Sequence, residues 1–163
     1  MSGFSTLSRD ERALYNPAFT GLVAARAVQG HQTEFDTPCP VVIATLAAVM
    51  ALQPAIRTAL PRSIASGLHR WVQGHPGVRA SMALNATALA DVVRPGLLMA
   101  LQTHTLTCDA QGRLHVPHRA LKKAITGGSD EVVAVQKAAL LLGRWLPGAG
   151  STSTVMTLLG VRP

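Results

Sequence analysis

Six cationic or histidine side chains, Arg113, His115, His118, Arg119, Lys122 and Lys123, crowd one short segment that holds no acidic residue. Arg57, Arg62, His69, Arg70, His75 and Arg79 form a second acid-free group upstream, where no carboxylate occurs between Asp36 and Asp91. Clustered Lys and Arg can neutralise the phosphates of a nucleic-acid backbone and release its counterions. The same charges also suit an acidic protein surface, or simply a solvated face. Neither group has aromatic residues interleaved with it, so stacking on unpaired bases is not indicated.

Bond-making chemistry has less to work with. The chain lacks GxSxG, HExxH, GxxxxGK[ST] and GxGxxG. Its eight carboxylates are scattered. The two adjacent pairs, Asp10-Glu11 and Asp130-Glu131, stand at expected helix starts, where negative charge meets the positive end of the helix dipole. General acid–base work or a hard-metal site needs carboxylates that converge, and a third of this chain, between Asp36 and Asp91, has none. His115-x-x-His118 has no third ligand at useful spacing and reads as a surface pair. Ser63 and Ser129 are explained as helix caps, and a nucleophile would need a neighbouring base. Cys39 and Cys108 match no metal or redox spacing and are expected to be buried free thiols in a reducing cytosol. The expectation is a protein without cofactor, metal or catalytic residues; a small enzyme of unknown type is a minor alternative.

In composition, a net charge of +7 arises from only 15 basic and 8 acidic residues, so 14% of the chain is charged. Globular domains usually carry about 25%. A surface this poor in charge suits a subunit that covers much of its outside with partners. It also suits a GC-rich genome that favours Ala and Arg. The 48% apolar content argues against disorder. A chain near 150 residues buries roughly 70% of its unfolded surface, enough for one core without staples. The N-terminus, MSGFSTLSRDER, is polar and bears both charges, unlike a signal peptide. The longest apolar run, Val41 to Leu52, falls short of the about 20 residues of a membrane span. These features lead us to expect a cytoplasmic protein with no membrane contact.

Positioning the basic groups falls mainly to helices. After a polar leader over 1–13, a single domain over 14–163 is expected. Asn16-Pro17 should cap and open a helix with Phe19, Leu22, Val23 and Ala27 on one face, closed by Gly30. A loop from His31 to Pro38 leads to the apolar helix 41–52, which is hydrophobic all round and so belongs at the centre of the core. Pro54 and Pro61 interrupt. Ser63 should cap a helix carrying Ile64, Leu68, Trp71 and Val72, and Pro76 opens another that Pro95 kinks or breaks. Thr105 to Cys108 and Arg113 to Val116, around Asp109-Ala110-Gln111-Gly112, read as a β-hairpin. Asp109 at its tip would repel phosphate, which turns attention to a helix expected from His118 to Thr126 and carrying Arg119, Lys122 and Lys123. Ser129 caps a long helix to Leu146, and Ser151 opens a last short one. The fold class expected is mainly α with one short hairpin, an α+β arrangement that can contain a winged-helix-like unit.

Several landmarks occur in a fixed order: Tyr15-Asn16-Pro17-Ala18-Phe19, Leu60-Pro61, Trp71, Arg79-Ala80, the hairpin, Gly143-Arg144-Trp145 and a terminal Leu-Gly-Val. Over residues 14 to 163 this layout resembles the middle component of three-component ABC systems, of which Lamassu-type anti-phage defence is the best known branch. The resemblance implies a non-catalytic subunit bridging an SMC-like ABC ATPase and an effector, a nuclease or another activity, with duplex DNA contacted directly or through the ATPase. It marks Asn16, Pro17, Phe19, Pro61, Trp71, Arg144 and Trp145 as motif residues and supplies no catalytic ones. The rival reading is a free winged-helix-type DNA-binding regulator.

Overall fold

The computed structural model describes residues 9–162, without the side chains of Asp10 and Glu11. Of the leader, residues 9–13 lie in helix α1 (Arg9–Leu14); the rest of it lies outside the described residues, as do the two acidic side chains expected at its helix start. Helix α2 (Pro17–Phe35) opens as the sequence dictates: Asn16 is extended, and its Oδ1 accepts from the Phe19 N–H at 2.9 Å. Phe19 is only half-buried against the core. Asn16→Ala should therefore cost about 1 kcal/mol, and Phe19→Ala about 2 kcal/mol rather than the 3–5 kcal/mol of a fully buried ring. Denaturant melts of the two variants measure this; a Phe19→Ala protein that melts like the parent would exclude a packing role.

Helix α2 does not stop at Gly30. It continues to Phe35, where Asp36 adopts a left-handed conformation and its N–H closes on the Gln32 carbonyl at 2.9 Å. Gly30 serves packing instead. The next segment also differs from expectation: Cys39–Pro40 form strand β1, so the hairpin strands β2 (Thr107–Cys108) and β3 (Arg113–His115) belong to a three-stranded antiparallel sheet in the order β1-β3-β2. Cys39 faces Leu114 on one side of β3, and Cys108 faces the same residue on the other. The Gln32 side chain accepts from the Val116 N–H at 2.6 Å, tying the sheet to the end of α2.

Helix α3 (Val41–Leu52) is buried from Ile43 onward except for half-exposed Thr45, as its all-round apolar sequence requires. It is followed by α4 (Pro54–Ala59), α5 (Leu68–Gly74) and α6 (Pro76–Gln102). Ser63 does not cap α5, which starts from Gly67; the Ser63 hydroxyl accepts from the Ala65 N–H in a local turn that competes with helix. Pro95 does not break α6. Proline withholds an N–H from the carbonyl one turn earlier, at Asp91, and both residues are exposed, so water can take that acceptor. Ser129 caps α7 (Asp130–Trp145) by accepting from the Val132 N–H, and a 3-10 turn (Leu146–Ala149) leads to α8 (Thr152–Leu159), capped by Ser151.

The core is a layer of helices with α2 between α6 and α7 and α3 beneath all three. Helices α2 and α7 cross through Gly30 and Gly143: a Cβ on Gly143 would lie 2.7 Å from the Ala27 carbonyl carbon, and one on Gly30 would lie 3.0 Å from that of Leu140. Helices α2 and α6 cross the same way through Gly21 and Gly96. Bare backbone at two crossings lets three helices approach more closely than side chains allow. Of the two thiols, Cys39 is buried and its pKa is pushed up to about 12 by loss of solvation, whereas Cys108 is exposed, against expectation.

Candidate interaction surface

The basic residues singled out from sequence do not form one patch of free charge. Arg57 is held in the structure: one Nη donates to the Ala51 carbonyl at 2.8 Å and the other to Glu131 Oε1 at 3.0 Å, linking α4 to the start of α7. Its side chain is 12% exposed, so it has little left to offer a phosphate. Arg113 is likewise engaged, with Nε 3.0 Å from Asp109 Oδ2. Asp109 is not simply a repulsive tip. The Arg113 N–H, then the Gln111 N–H and the Arg113 guanidinium, hold its carboxyl below the usual carboxylate range. The carboxylate thereby closes the hairpin turn, in which Gly112 takes a positive φ of 73°.

The helix expected to present Arg119, Lys122 and Lys123 is absent. Residues 117–128 are a loop with turns, and Arg119 itself has a φ of 64°. The loop is held by a residue that composition gives no cause to notice. Arg26, in the middle of α2, is 4% exposed. Its Nε donates to Gln136 Oε1 at 3.0 Å, and its Nη groups donate to Gln29 Oε1 and to the Lys122 and Ala124 carbonyls. Gln136, on α7, donates in turn to the Thr126 carbonyl at 2.9 Å. Arg26 and Gln136 thus hold the Lys122, Ala124 and Thr126 carbonyls and fasten the segment across α2 and α7. Arg119, Lys122 and Lys123 are exposed on it, as are Arg62 and Arg70 near α5, and none of these five makes an ion pair among the described residues. His115 and His118 are exposed, and no group of three metal-binding side chains occurs among the described residues.

The motif residues at 61, 71 and 145 do converge. Trp71 and Trp145 meet edge to face with centroids 5.2 Å apart. The Trp71 indole N–H donates to the Ala59 carbonyl at 2.8 Å, and that of Trp145 donates to the Ser66 carbonyl. The two indoles thus pin both ends of the loop that contains Pro61. Arg144 bonds to Glu34 at the far end of α2, and Gly143 makes the close crossing described above. Asn16, Pro17 and Phe19 stand apart from this group, at the start of α2.

Sequence reasoning misses the outer face of α6. By length and composition α6 qualifies for a membrane span, yet only 28% of its apolar stretch is buried. Leu84 is 81% exposed and Leu98 56%. From Ala80 to Gln102 the charged residues are Asp91 and Arg94, which pair with each other at 2.9 Å. On one side this ridge borders a groove of about 550 Å3 lined by Tyr15, Leu52, Pro54, Asn85, Leu89 and Val92, with no charged residue in its walls. Within it, Ser81 donates to the buried Gln53 side chain at 2.7 Å. On the other side lies a groove of about 270 Å3 between α6, the exposed Val41 and Val42 of α3, and Met156 and Val161 near the C-terminus. The signal is present in the sequence as apolar residues all round a helix much longer than α3, but Pro95 makes that helix read as two shorter pieces.

A family model described as ABC-three component (ABC-3C) system Middle Component 3 matches residues 4–163. No curated protein and no solved structure matches the chain.

Proposed function

The chain belongs to the family of middle component 3 of ABC-three component systems, and from that premise we propose that it is a non-catalytic bridging subunit, joining an SMC-like ABC ATPase to an effector in a bacterial anti-phage complex of Lamassu type. The observation that carries this reading is the family match across nearly the whole chain. A connector acts by contacting two states of its partners unequally, so that ATP or DNA engagement on one side alters the effector on the other. It needs shaped surfaces and a stiff body, and the glycine crossings and paired indoles supply stiffness. The proposed setting is the cytosol.

Co-expression with the proposed ATPase and effector partners, followed by size exclusion, tests the bridging role. A three-part complex is expected; a chain that elutes as a lone monomer in every combination sinks the reading. The exposed loop cations make duplex DNA held by the ATPase a reasonable second contact. Arg119→Ala/Lys122→Ala/Lys123→Ala should leave assembly intact and flatten the salt dependence of DNA binding by the complex, by about one unit of slope for each phosphate no longer neutralised. Loss of assembly instead would assign the loop to an acidic partner surface, and no change in either would make it a solvated face. Tight, steeply salt-dependent binding of duplex DNA by the chain alone would favour a free DNA-binding regulator.

A further inference from the structure

We infer that the outward face of α6, with the groove on either side of it, is the seat of a partner-subunit helix whose contact stripe is apolar and uncharged. This deepens the bridging role and rests on it. The face is built like the centre of an interface rather than like a free surface. Ala80, Ala83, Leu84, Ala88, Pro95 and Leu98 are all exposed along it. Its charge is zero, since Asp91 and Arg94 neutralise each other, in a chain that carries +7 in all. Apart from that one ion pair the ridge between Ala80 and Gln102 carries no charged residue, and depletion of charge is the compositional mark of the centre of a buried protein–protein contact.

Shape supports the same occupant. A helix of 27 residues is about 40 Å long at 1.5 Å per residue, room for a partner helix of several turns. Small residues on α6 let a second backbone approach, and the side chains of a partner helix need grooves beside the ridge to enter. The wall of the larger groove is uncharged, so a charged side chain entering it would lose its water with no counter-charge to meet. That fixes the occupant's contact stripe as apolar or neutral-polar, with Asn85 and the Gln53–Ser81 pair offering hydrogen bonds at one point. Beyond the stripe, Arg79 at one end of the ridge and Arg162 beside the smaller groove favour acidic residues on the partner's flanks.

Two other occupants fit less well. A second copy would bring one +7 chain against another, and repulsion between like net charges opposes that pairing. A lipid bilayer would have to surround α6, whose inner face is locked against the backbone of α2 at Gly21 and Gly96.

The test uses the full chain co-expressed with the ATPase and effector. Leu84→Glu and Leu98→Glu replace exposed side chains and should melt within about 2 °C of the parent, because surface changes of this kind shift stability little. Each should reduce recovery of the complex more than tenfold, while Lys137→Glu, on the exposed side of α7, leaves recovery unchanged. A photo-crosslinking residue at position 84 should join to one partner subunit. If the parent assembles and both variants assemble equally well, the α6 seat is wrong and the bridging role stands. If the parent captures neither partner, the bridging role fails and the seat with it. A parent dimer that Leu84→Glu converts to monomer would assign the face to a second copy, and vesicle binding lost in Leu84→Glu would assign it to a membrane surface; either result overturns the inference.

Discussion

Gly143→Ala should lower the melting temperature by roughly 10 °C, a large effect for the addition of one methyl group. The new Cβ would overlap the Ala27 carbonyl oxygen and lie 2.7 Å from its carbon and 3.0 Å from the Ala27 Cα. These are backbone atoms in the middle of α2, so no side chain can rotate aside. Relief requires α7 to move bodily away from α2, and that motion would also loosen Gly30 against Leu140 and the packing of buried Val135, Ala139 and Leu142. Overpacking typically costs 1–3 kcal/mol where side chains can yield. Where only backbone can yield, about 3–4 kcal/mol is the appropriate scale, and each kcal/mol is worth about 2–4 °C in a domain of this size. Gly77→Ala is the matched control: no atom lies within 4 Å of its added Cβ, so its melt should stay within about 2 °C of the parent. Calorimetry of both variants decides. A Gly143→Ala protein as stable as the Gly77→Ala protein would mean that the α2–α7 crossing is looser than the structure shows.

Those crossings mark the boundary of what the sequence reveals. Asn16, Ser129 and Ser151 are legible as caps because capping is local: a side-chain oxygen and an amide three residues on decide it. The central place of α3 is legible because a helix apolar all round has nowhere else to go. Gly30 is not legible in the same way. A glycine late in an apolar helix looks like a terminator, and only the arrival of α7 from more than a hundred positions away reveals it as a packing residue. The sheet is half visible: the hairpin has its turn residues, while β1 is too short to show a period and exists only because β3 offers it a free edge. The candidate surface divides along the same line. The basic residues are visible by type, but whether each is free depends on the fold, which brings distant Glu131 to Arg57 and, across the hairpin turn, nearby Asp109 to Arg113. The α6 face is hidden because an amphipathic reading assigns apolar residues to the core, and here the core needs only one side of the helix.

Arg26→Met should destabilise the fold by about 3 kcal/mol, and its effect should be concentrated in a segment nearly a hundred residues away. The guanidinium has no carboxylate partner among the described residues. It is held by the neutral oxygens of Gln29, Gln136, Lys122 and Ala124, with burial pulling its pKa below the ordinary value. Hydrogen bonds to a charged group contribute about 1.5–3 kcal/mol each, and a buried acceptor stripped of its donor costs about 1–3 kcal/mol. Two of the acceptors can turn to water if the 117–128 loop lifts, which limits the total, whereas Gln136 Oε1 is enclosed and cannot. Methionine keeps the unbranched length of the stem and removes only the fork, so lost packing is a small part of the change. Arg26→Lys should rescue little, because one ammonium cannot span oxygens that a planar guanidinium reaches from three nitrogens. Limited trypsin digestion provides the distinguishing readout: in Arg26→Met, cleavage after Arg119, Lys122 and Lys123 should accelerate first, with α3 and the glycine crossings opening only at the global transition. A loop cleaved no faster than in the parent while the melting temperature falls would show that Arg26 serves the α2–α7 contact alone. A loop that opens with little change in melting temperature would show that the clamp is local, and that Arg119, Lys122 and Lys123 are held in place for what they contact rather than for the stability of the fold.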